Sequence, residues 1–407
     1  MAIIVQKYGG SSVADLTKLA RVADWVVATK RAGHSVVVVV SAMGKTTDEL
    51  LALAQRAAQG AGHSEQVAPA QGAGHGEQGA PARRELDMLL SVGERISMAL
   101  LSIAVQARGE AAVSLTGSQS GIITNDRHFD ARIIEVRPHR VEDELHRGKI
   151  VIVAGYQGMS YRREITTLGR GGSDTTAVAL AAALSAERCE IYSDVDGVYS
   201  ADPHRVPDAR HLPELDFTTM QEMAECGAKV LHARAVEWAK QQKIAIHARK
   251  TDDFASRGSG AETRVTEQAS PGARAIVVER KLVLLRCPAG QVSSLLAACS
   301  EAELSLRDSV YQDDGFRTLL PLTSVPNPEA TLAALSDRVS GLDITRGVAS
   351  VSSVGVGVGS DGLQLAEFLA QLAGPPLLLV ATPLRITALL PESALAAAEQ
   401  ALHARLR

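Results

Sequence analysis

The chain opens on a short apolar run, Ala2 to Gln6. After a polar stretch it places Val13, Leu16, Leu19, Val22, Val26 and Val27 at helical spacing up to a break near Gly33. A second run, Val36 to Val40, is β-branched throughout. Apolar residues on consecutive positions mark strands buried on both faces, as in a parallel sheet covered by helices. The order continues with a strand over Ile150 to Ala154, a helix over Thr175 to Ser185 and a strand over Cys189 to Ser193. Strand and helix in alternation predict an α/β layered domain over residues 1–265.

Past Pro271 the pattern changes. A strand over Ala273 to Cys287, a helix over Val292 to Ser300, strands over Leu304 to Tyr311 and Phe316 to Leu322, and a helix over Glu329 to Val339 make one βαββαβ unit. A shorter copy runs from Ser350, so residues 271–407 read as two such units. At 407 residues the chain also exceeds the length, about 250–300, at which single cores stop growing. One interruption is a tandem duplication, QGAGHSEQVAPA (Gln59 to Ala70) followed by QGAGHGEQGAPA (Gln71 to Ala82). Its Gly, Ala, Pro and Gln content predicts a flexible surface loop over 58–82.

Charge and composition narrow the function classes. Lys plus Arg number 42 against 46 Asp plus Glu, a net charge of -4, so no global field draws nucleic acid or an anionic membrane. Aromatics at 3% leave no platform for stacked bases. The N-terminal run has no basic segment before it, and apolar stretches such as Ala177 to Leu184 fall short of the roughly 18 residues that span a bilayer. A cytoplasmic location is expected. Cys189, Cys226, Cys287 and Cys299 are widely separated and the histidines form no cluster, so no dedicated protein cage for a metal is expected.

Four clusters carry candidate chemistry. KYGGSSV (Lys7 to Val13) follows the first strand, where backbone N–H groups and a helix dipole suit phosphate, although a Gly-Gly turn with a solvated lysine reads the same way. TTLGRGGSDTT (Thr166 to Thr176) sets Arg170 among Gly169, Gly171 and Gly172, a backbone open to close approach by an anion, with a guanidinium available for a carboxylate. SDVDGVYSADP (Ser193 to Pro203) follows a buried strand, and CGAKVLH (Cys226 to His232) carries Lys229 on a helical run.

Together with SAMGKTTD (Ser41 to Asp48) and LSVGERIS (Leu90 to Ser97), these clusters in this order resemble the aspartate kinase family, most like its actinobacterial members. The resemblance is dense over residues 2–265 and thin beyond 271. It implies a three-layer αβα amino-acid kinase fold followed by tandem ACT-like regulatory units, with ATP, Mg2+ and L-aspartate as ligands. The implied reaction moves the γ-phosphoryl group of ATP onto the side-chain carboxylate of aspartate. By this resemblance Lys7, Gly9, Gly10 and Ser11 hold phosphates. Ser41, Thr47, Glu94, Tyr156, Arg170, Gly171, Gly172 and Ser173 surround aspartate, with Arg170 on the α-carboxylate and Glu94 on the ammonium. Asp174 organises the active-site lysine and the Mg2+ shell, while Ser193, Asp194, Tyr199, Asp202, His204, Arg205 and Lys229 bind the nucleotide. Lys7, Asp174 and Lys229 form the implied catalytic set, and a homodimer or larger oligomer through the ACT-like region is expected.

Two departures stand out. Where relatives carry arginine after the Asp-Pro of the third cluster, this chain has His204, with Arg205 one position later. In the ACT-like region the polar turns and strands that capture effectors in the family are replaced by Arg286 to Gly290, Ser305 to Gln312 and Gly374 to Val380. Weak or absent feedback inhibition by lysine and threonine is therefore expected. The competing readings are a kinase of the same fold acting on another acid, and a non-catalytic regulatory subunit.

Overall fold

The structure, a computed structural model, describes residues 2–60, 81–169, 171–251, 261–267, 274–312, 315–325 and 327–406. Arg170 and most of the duplicated segment lie outside these. In chain order the elements begin with β1 (Ile3–Tyr8), α1 (Leu16–Arg31), β2 (Ser35–Val40), α2 (Thr46–Gly60), α3 (Arg83–Gln106), β3 (Ala112–Leu115), β4 (Ile122–Thr124) and β5 (Ile133–Val136). There follow α4 (His139–His146), β6 (Ile150–Ala154), β7 (Gln157–Ser160), β8 (Ile165–Thr167), α5 (Gly172–Ala183), β9 (Arg188–Ser193), β10 (Val198–Tyr199), β11 (His211–Leu212), β12 (Glu214–Asp216) and α6 (Phe217–Glu225). The rest are α7 (Ala233–Gln242), β13 (Ile246–Lys250), β14 (Glu262–Thr266), β15 (Ala275–Cys287), α8 (Val292–Glu301), β16 (Arg307–Gln312), β17 (Gly315–Pro321), α9 (Pro328–Arg338), β18 (Asp343–Val354), α10 (Gly362–Ala370), β19 (Leu378–Thr382), β20 (Arg385–Pro391) and α11 (Leu395–His403).

Contacts divide the chain into two compact units. The first is Met1–Val198 with Val230–Ala269, and the second is Tyr199–Lys229 with Ser270–Arg407. In the first, the main sheet runs β14, β13, β9, β1, β2, β6, β3, parallel except for the edge pairing of β13 with β14. Every residue of β2 is buried, the outcome expected for a strand apolar at successive positions. One face is covered by α1 and α3, whose Leu19, Val22, Val26, Leu101 and Val105 pack with Val36, Val38 and Val40. The other face carries α5, buried from Gly172 to Ala181, which also packs on α7. A helix enclosed on all sides needs no polar stripe, and α5 has none beyond its first turns.

The register sets where the loops emerge. Tyr8 pairs with Val40 and with Tyr192, and Val40 pairs with Ala154, so β1, β2, β6 and β9 end at one edge of the sheet. Loops at the carboxyl ends of parallel strands are where α/β proteins gather ligands. Strand β1 runs two residues further than the apolar run suggests, so Lys7 belongs to the strand and the loop begins at Gly9. Helix α5 starts three residues earlier than its apolar pattern, at Gly172. Helix α2 continues to Gly60, inside the segment read as loop from residue 58.

Helix α3 is, among the described residues, the one long and apolar enough to cross a membrane by length and composition. The uninterrupted apolar runs of the sequence do not reveal this, because its apolar positions are interspersed with polar ones. Half of that stretch is buried, and Asp87 and Glu94 lie on the buried side.

The second unit holds an antiparallel sheet ordered β16, β17, β15, β18, β20, β19. The two expected βαββαβ copies are fused through shared strands. The first half of β15 (Ala275 to Glu279) pairs with the end of β18, and its second half (Leu282 to Arg286) pairs with the start of β18 across an irregularity at Glu279 to Leu282. One core gathers Leu285, Leu295, Phe316 and Leu335 under α8 and α9, and the other gathers Ile276, Val351, Phe368 and Leu402 under α10 and α11.

Candidate functional site

Lys7 rises from β1 with 9% of its surface exposed, and its Nζ lies 2.7 Å from Asp174 Oδ1 in the first turn of α5. Both groups are largely withdrawn from water, so their charges act at short range with little screening. Helix α5 begins from Gly171, whose φ of 70° lies in the left-handed region, and a Cβ there would fall 2.4 Å from the His232 ring. A Cβ on Gly172 would meet Leu168 at 2.7 Å. The two glycines are thus demanded by backbone conformation and close packing, and the turn is closed by Gly172 N–H to Gly169 O at 3.1 Å and Asp174 N–H to Gly171 O at 3.0 Å.

The adjoining loops are tied to this point. Gly10 lies against the β2–α2 loop, where a Cβ would come 2.8 Å from the Ala42 carbonyl oxygen, and Gly44 donates its N–H to Gly10 O at 3.0 Å. Gly9 N–H donates to Tyr192 O at 3.2 Å, and the Ser41 N–H donates to Tyr8 O at 3.1 Å. Ser173 packs on the β6–β7 loop, with its Oγ 2.7 Å from where a Cβ on Gly155 would stand. Tyr156, the next residue, has a φ of 67° and accepts the Leu168 N–H at 2.9 Å. Thr47 sits in the first turn of α2. Ser11, Ser193 and Asp194 line one small cavity of about 60 Å3 together with Lys18 and Arg21.

Glu94 is 3% exposed on α3, which approaches so closely that a Cβ on Gly93 would sit 2.8 Å from Ala42 Cβ. Its Oε1 accepts the Ala42 N–H at 3.0 Å, while Oε2 is buried with no partner. Burial pushes its carboxyl up to about 7. A buried carboxylate with one satisfied oxygen is an incomplete arrangement, which a cation would complete.

In the second unit, Tyr199 meets the His211 ring edge-on at 5.3 Å between centroids. Asp202 Oδ1 accepts the His204 N–H at 3.0 Å and faces His204 Nδ1 at 3.2 Å, with the imidazole exposed. Arg205 is drawn elsewhere: its Nη2 lies 2.7 Å from Glu399 Oε2 on α11. Lys229 is exposed, two residues after Gly227, whose φ is 108°.

A family model described as the amino acid kinase family matches residues 2–249. The aspartokinase of Mycolicibacterium smegmatis is 42% identical over 424 residues, covering 99% of this chain and 96% of that protein. That of Corynebacterium glutamicum is 41% identical over 423 residues, with the same coverage. The chain belongs to the aspartokinase family. It is a kinase with the mixed α/β amino-acid kinase fold, and its C-terminal sheet is ACT-like. The crystal structure of Escherichia coli aspartokinase III in complex with aspartate and ADP matches it with a TM-score of 0.82 at 25% identity, covering 99% of both chains.

Several residues of this aspartokinase-family site are invisible as motifs. Asp87, fully buried on α3, accepts the Phe129 N–H at 3.0 Å and the Thr167 hydroxyl at 2.5 Å, and lies 2.6 Å from His128 Nδ1. Asp130 pairs with Arg234 through two contacts of 2.7 and 3.0 Å, and Arg234 also reaches Leu168 O at 3.4 Å. These networks brace the strand that leads into Gly169 and Gly171. His232 supports the same turn from the other side, and burial lowers the pKa of its imidazole. His232 stood in the fourth cluster, but its partners lie more than fifty residues away and no spacing reveals them. Among the described residues no group of three or more His, Cys, Asp or Glu side chains is placed to hold a metal ion.

Proposed function

We propose that the enzyme is an ATP:L-aspartate 4-phosphotransferase, transferring the γ-phosphoryl group of ATP to the side-chain carboxylate of L-aspartate to give β-aspartyl phosphate. The observation that carries this reading is the juxtaposition, through the loops at one sheet edge, of the Lys7–Asp174 pair and the half-satisfied Glu94. A substrate ammonium supplies the cation that Glu94 Oε2 lacks. Arg170, beside Gly171, clamps the α-carboxylate, leaving the side-chain carboxylate as nucleophile. That group is ionised at neutral pH, its reference pKa being about 4, so the reaction needs no general base.

The remaining work is placement and charge neutralisation, the usual demands of phosphoryl transfer. Lys7 places a buried ammonium beside the first turn of α5 and stabilises charge on the transferring phosphoryl oxygens, with Lys229 assigned to the nucleotide. Gly9 and Gly10 keep the β1 loop low enough for a phosphate to approach. Asp174 suits a magnesium ion brought on the oxygens of ATP, and such an ion would add neutralising charge there. Tyr199, Asp202 and His204 are assigned to nucleotide contacts. Release of ADP measured with aspartate, glutamate and no acceptor tests the proposal: turnover with aspartate alone supports it, equal turnover with glutamate points to a different acid, and silence points to a regulatory subunit.

Weak feedback inhibition is part of the same proposal. In the strand that replaces the family's effector-binding strand, Arg307 is taken up by Glu279 and Asp308 by Arg385, and at the first turn Arg286 pairs with Asp343 at 3.1 Å. Polar groups already paired within the sheet offer little to an amino acid. Association into a homodimer or larger oligomer through the ACT-like sheet is proposed as well.

A further inference from the structure

The segment Ser200 to Arg210 carries Asp202, His204 and Arg205, three positions assigned above to the nucleotide, yet it packs with the C-terminal unit. Its base is closed by Ser200 N–H to Arg210 O and Arg210 N–H to Ser200 Oγ, both 2.8 Å. Residues of the C-terminal unit hold this base at several points. Ser200 Oγ and His403 Nε2 hydrogen-bond at 2.9 Å, the Arg210 guanidinium donates to Leu406 O at 3.0 Å, and Ile276 N–H donates to Ser200 O at 2.7 Å. The outer part of the loop is held by Arg205 Nη2 on Glu399 Oε2 at 2.7 Å.

Glu399 is an unusual residue for a surface helix. It is 2% exposed, its second carboxylate oxygen is buried without a partner, and it stands on α11 between Ala398 and Leu402, which are locked into the core with Val351 and Ala388. A carboxylate withdrawn from water to this degree is tolerated when a cation faces it, and Arg205 is that cation. The guanidinium is therefore spent on α11 and does not replace the arginine missing at His204.

We infer that Glu399 and Arg205 are positioning residues for ATP: the C-terminal helix α11 anchors the loop that carries the nucleotide-assigned Asp202 and His204 through this buried pair. The inference rests on the nucleotide assignment made above. Removing one partner leaves a lone buried charge that expels the loop from its seat, whereas removing both with apolar side chains lets it stay docked.

The test compares variants of the full chain, with Michaelis constants for ATP and aspartate measured for Arg205→Met, Glu399→Gln and Arg205→Met/Glu399→Leu, and folding checked by thermal melting. Each single variant is expected to raise the constant for ATP at least fivefold with that for aspartate within twofold of wild type, and the double variant to return the ATP value to within twofold. If a single variant does not fold, the double variant still decides. A double variant as impaired for ATP as Arg205→Met makes Arg205 a direct phosphate ligand and overturns the inference, as does a folded Glu399→Gln with ATP affinity unchanged or improved. Lys229→Ala and Tyr199→Ala serve as controls: if neither moves the ATP constant, the nucleotide assignment itself is wrong and the inference falls with it.

Discussion

Lys7 and Glu94 owe their chemistry to where they are buried. Lys7 holds its charge against Asp174 at 2.7 Å in a site that excludes most water. Lys7→Ala is expected to lower kcat at least a hundredfold, since a charge aimed at transferring oxygens in a dry site contributes about 3–4 kcal/mol to the transition state. Turnover within threefold of wild type would remove Lys7 from the phosphate cradle. As the proposed partner of a substrate ammonium Glu94 must be ionised, and burial pushes its pKa up to about 7. A raised carboxyl pKa means that the free enzyme loses the charged form as pH falls through that value, so kcat/KM for aspartate should drop about tenfold per unit below it. Glu94→Gln should have a low kcat/KM that is flat across the same range, and a wild-type profile without an inflection near there would exclude Glu94 as the ammonium partner.

Helix ends and strand joints set the next scale. The start of α5 depends on a glycine at 171 for both its left-handed φ and the absence of a Cβ against His232. Gly171→Ala must strain the turn or push His232 aside, and is expected to lower kcat/KM for aspartate by about tenfold or more, with a smaller loss of thermal stability. Normal kinetics would show that the turn is adaptable. In the second unit Arg385, at the start of β20, joins Asp308 on β16 and Glu222 on α6, the latter at 3.1 Å, and the three side chains are mostly buried. Arg385→Met leaves two carboxylates without their cation, a change that costs about 3–5 kcal/mol when such a pair is broken from one side. Urea unfolding measures it, and a loss under about 1 kcal/mol would mean that water reaches the carboxylates.

For the whole molecule, the decisive question is whether an ACT-like sheet remains responsive. An effector shifts an equilibrium only by binding one arrangement more tightly than the other. With Arg307, Asp308 and Arg286 engaged within the sheet, lysine and threonine find few unpaired groups, and desolvating a charged amino acid there is unfavourable. Initial rates at subsaturating aspartate should retain more than half their value with about 1 mM of either amino acid or both, a concentration at which a micromolar effector site would be saturated. Stronger inhibition would reveal a capture site elsewhere.

The amino-acid sequence by itself determined β1, α1, β2, β6, α5 and β9 of the first unit, because consecutive β-branched runs and helical apolar spacing are local signals. It also marked the glycines at 9, 10, 171 and 172, and at 10, 171 and 172 the close packing admits no Cβ. It singled out Lys7, Asp174 and Glu94 as candidates through the order of the motifs. Tertiary structure alone decided that Glu94 keeps one oxygen unpaired, that Asp87, Asp130 and His232 brace the turn before α5, and that Arg205 answers to Glu399, 194 positions later in the numbering. It also decided that β15 and β18 serve both ACT-like halves and that Tyr199–Lys229 packs with the C-terminal unit. The physical reason is the same in each case: desolvation and charge pairing depend on what surrounds a group after folding, and those surroundings come from residues far apart in the chain.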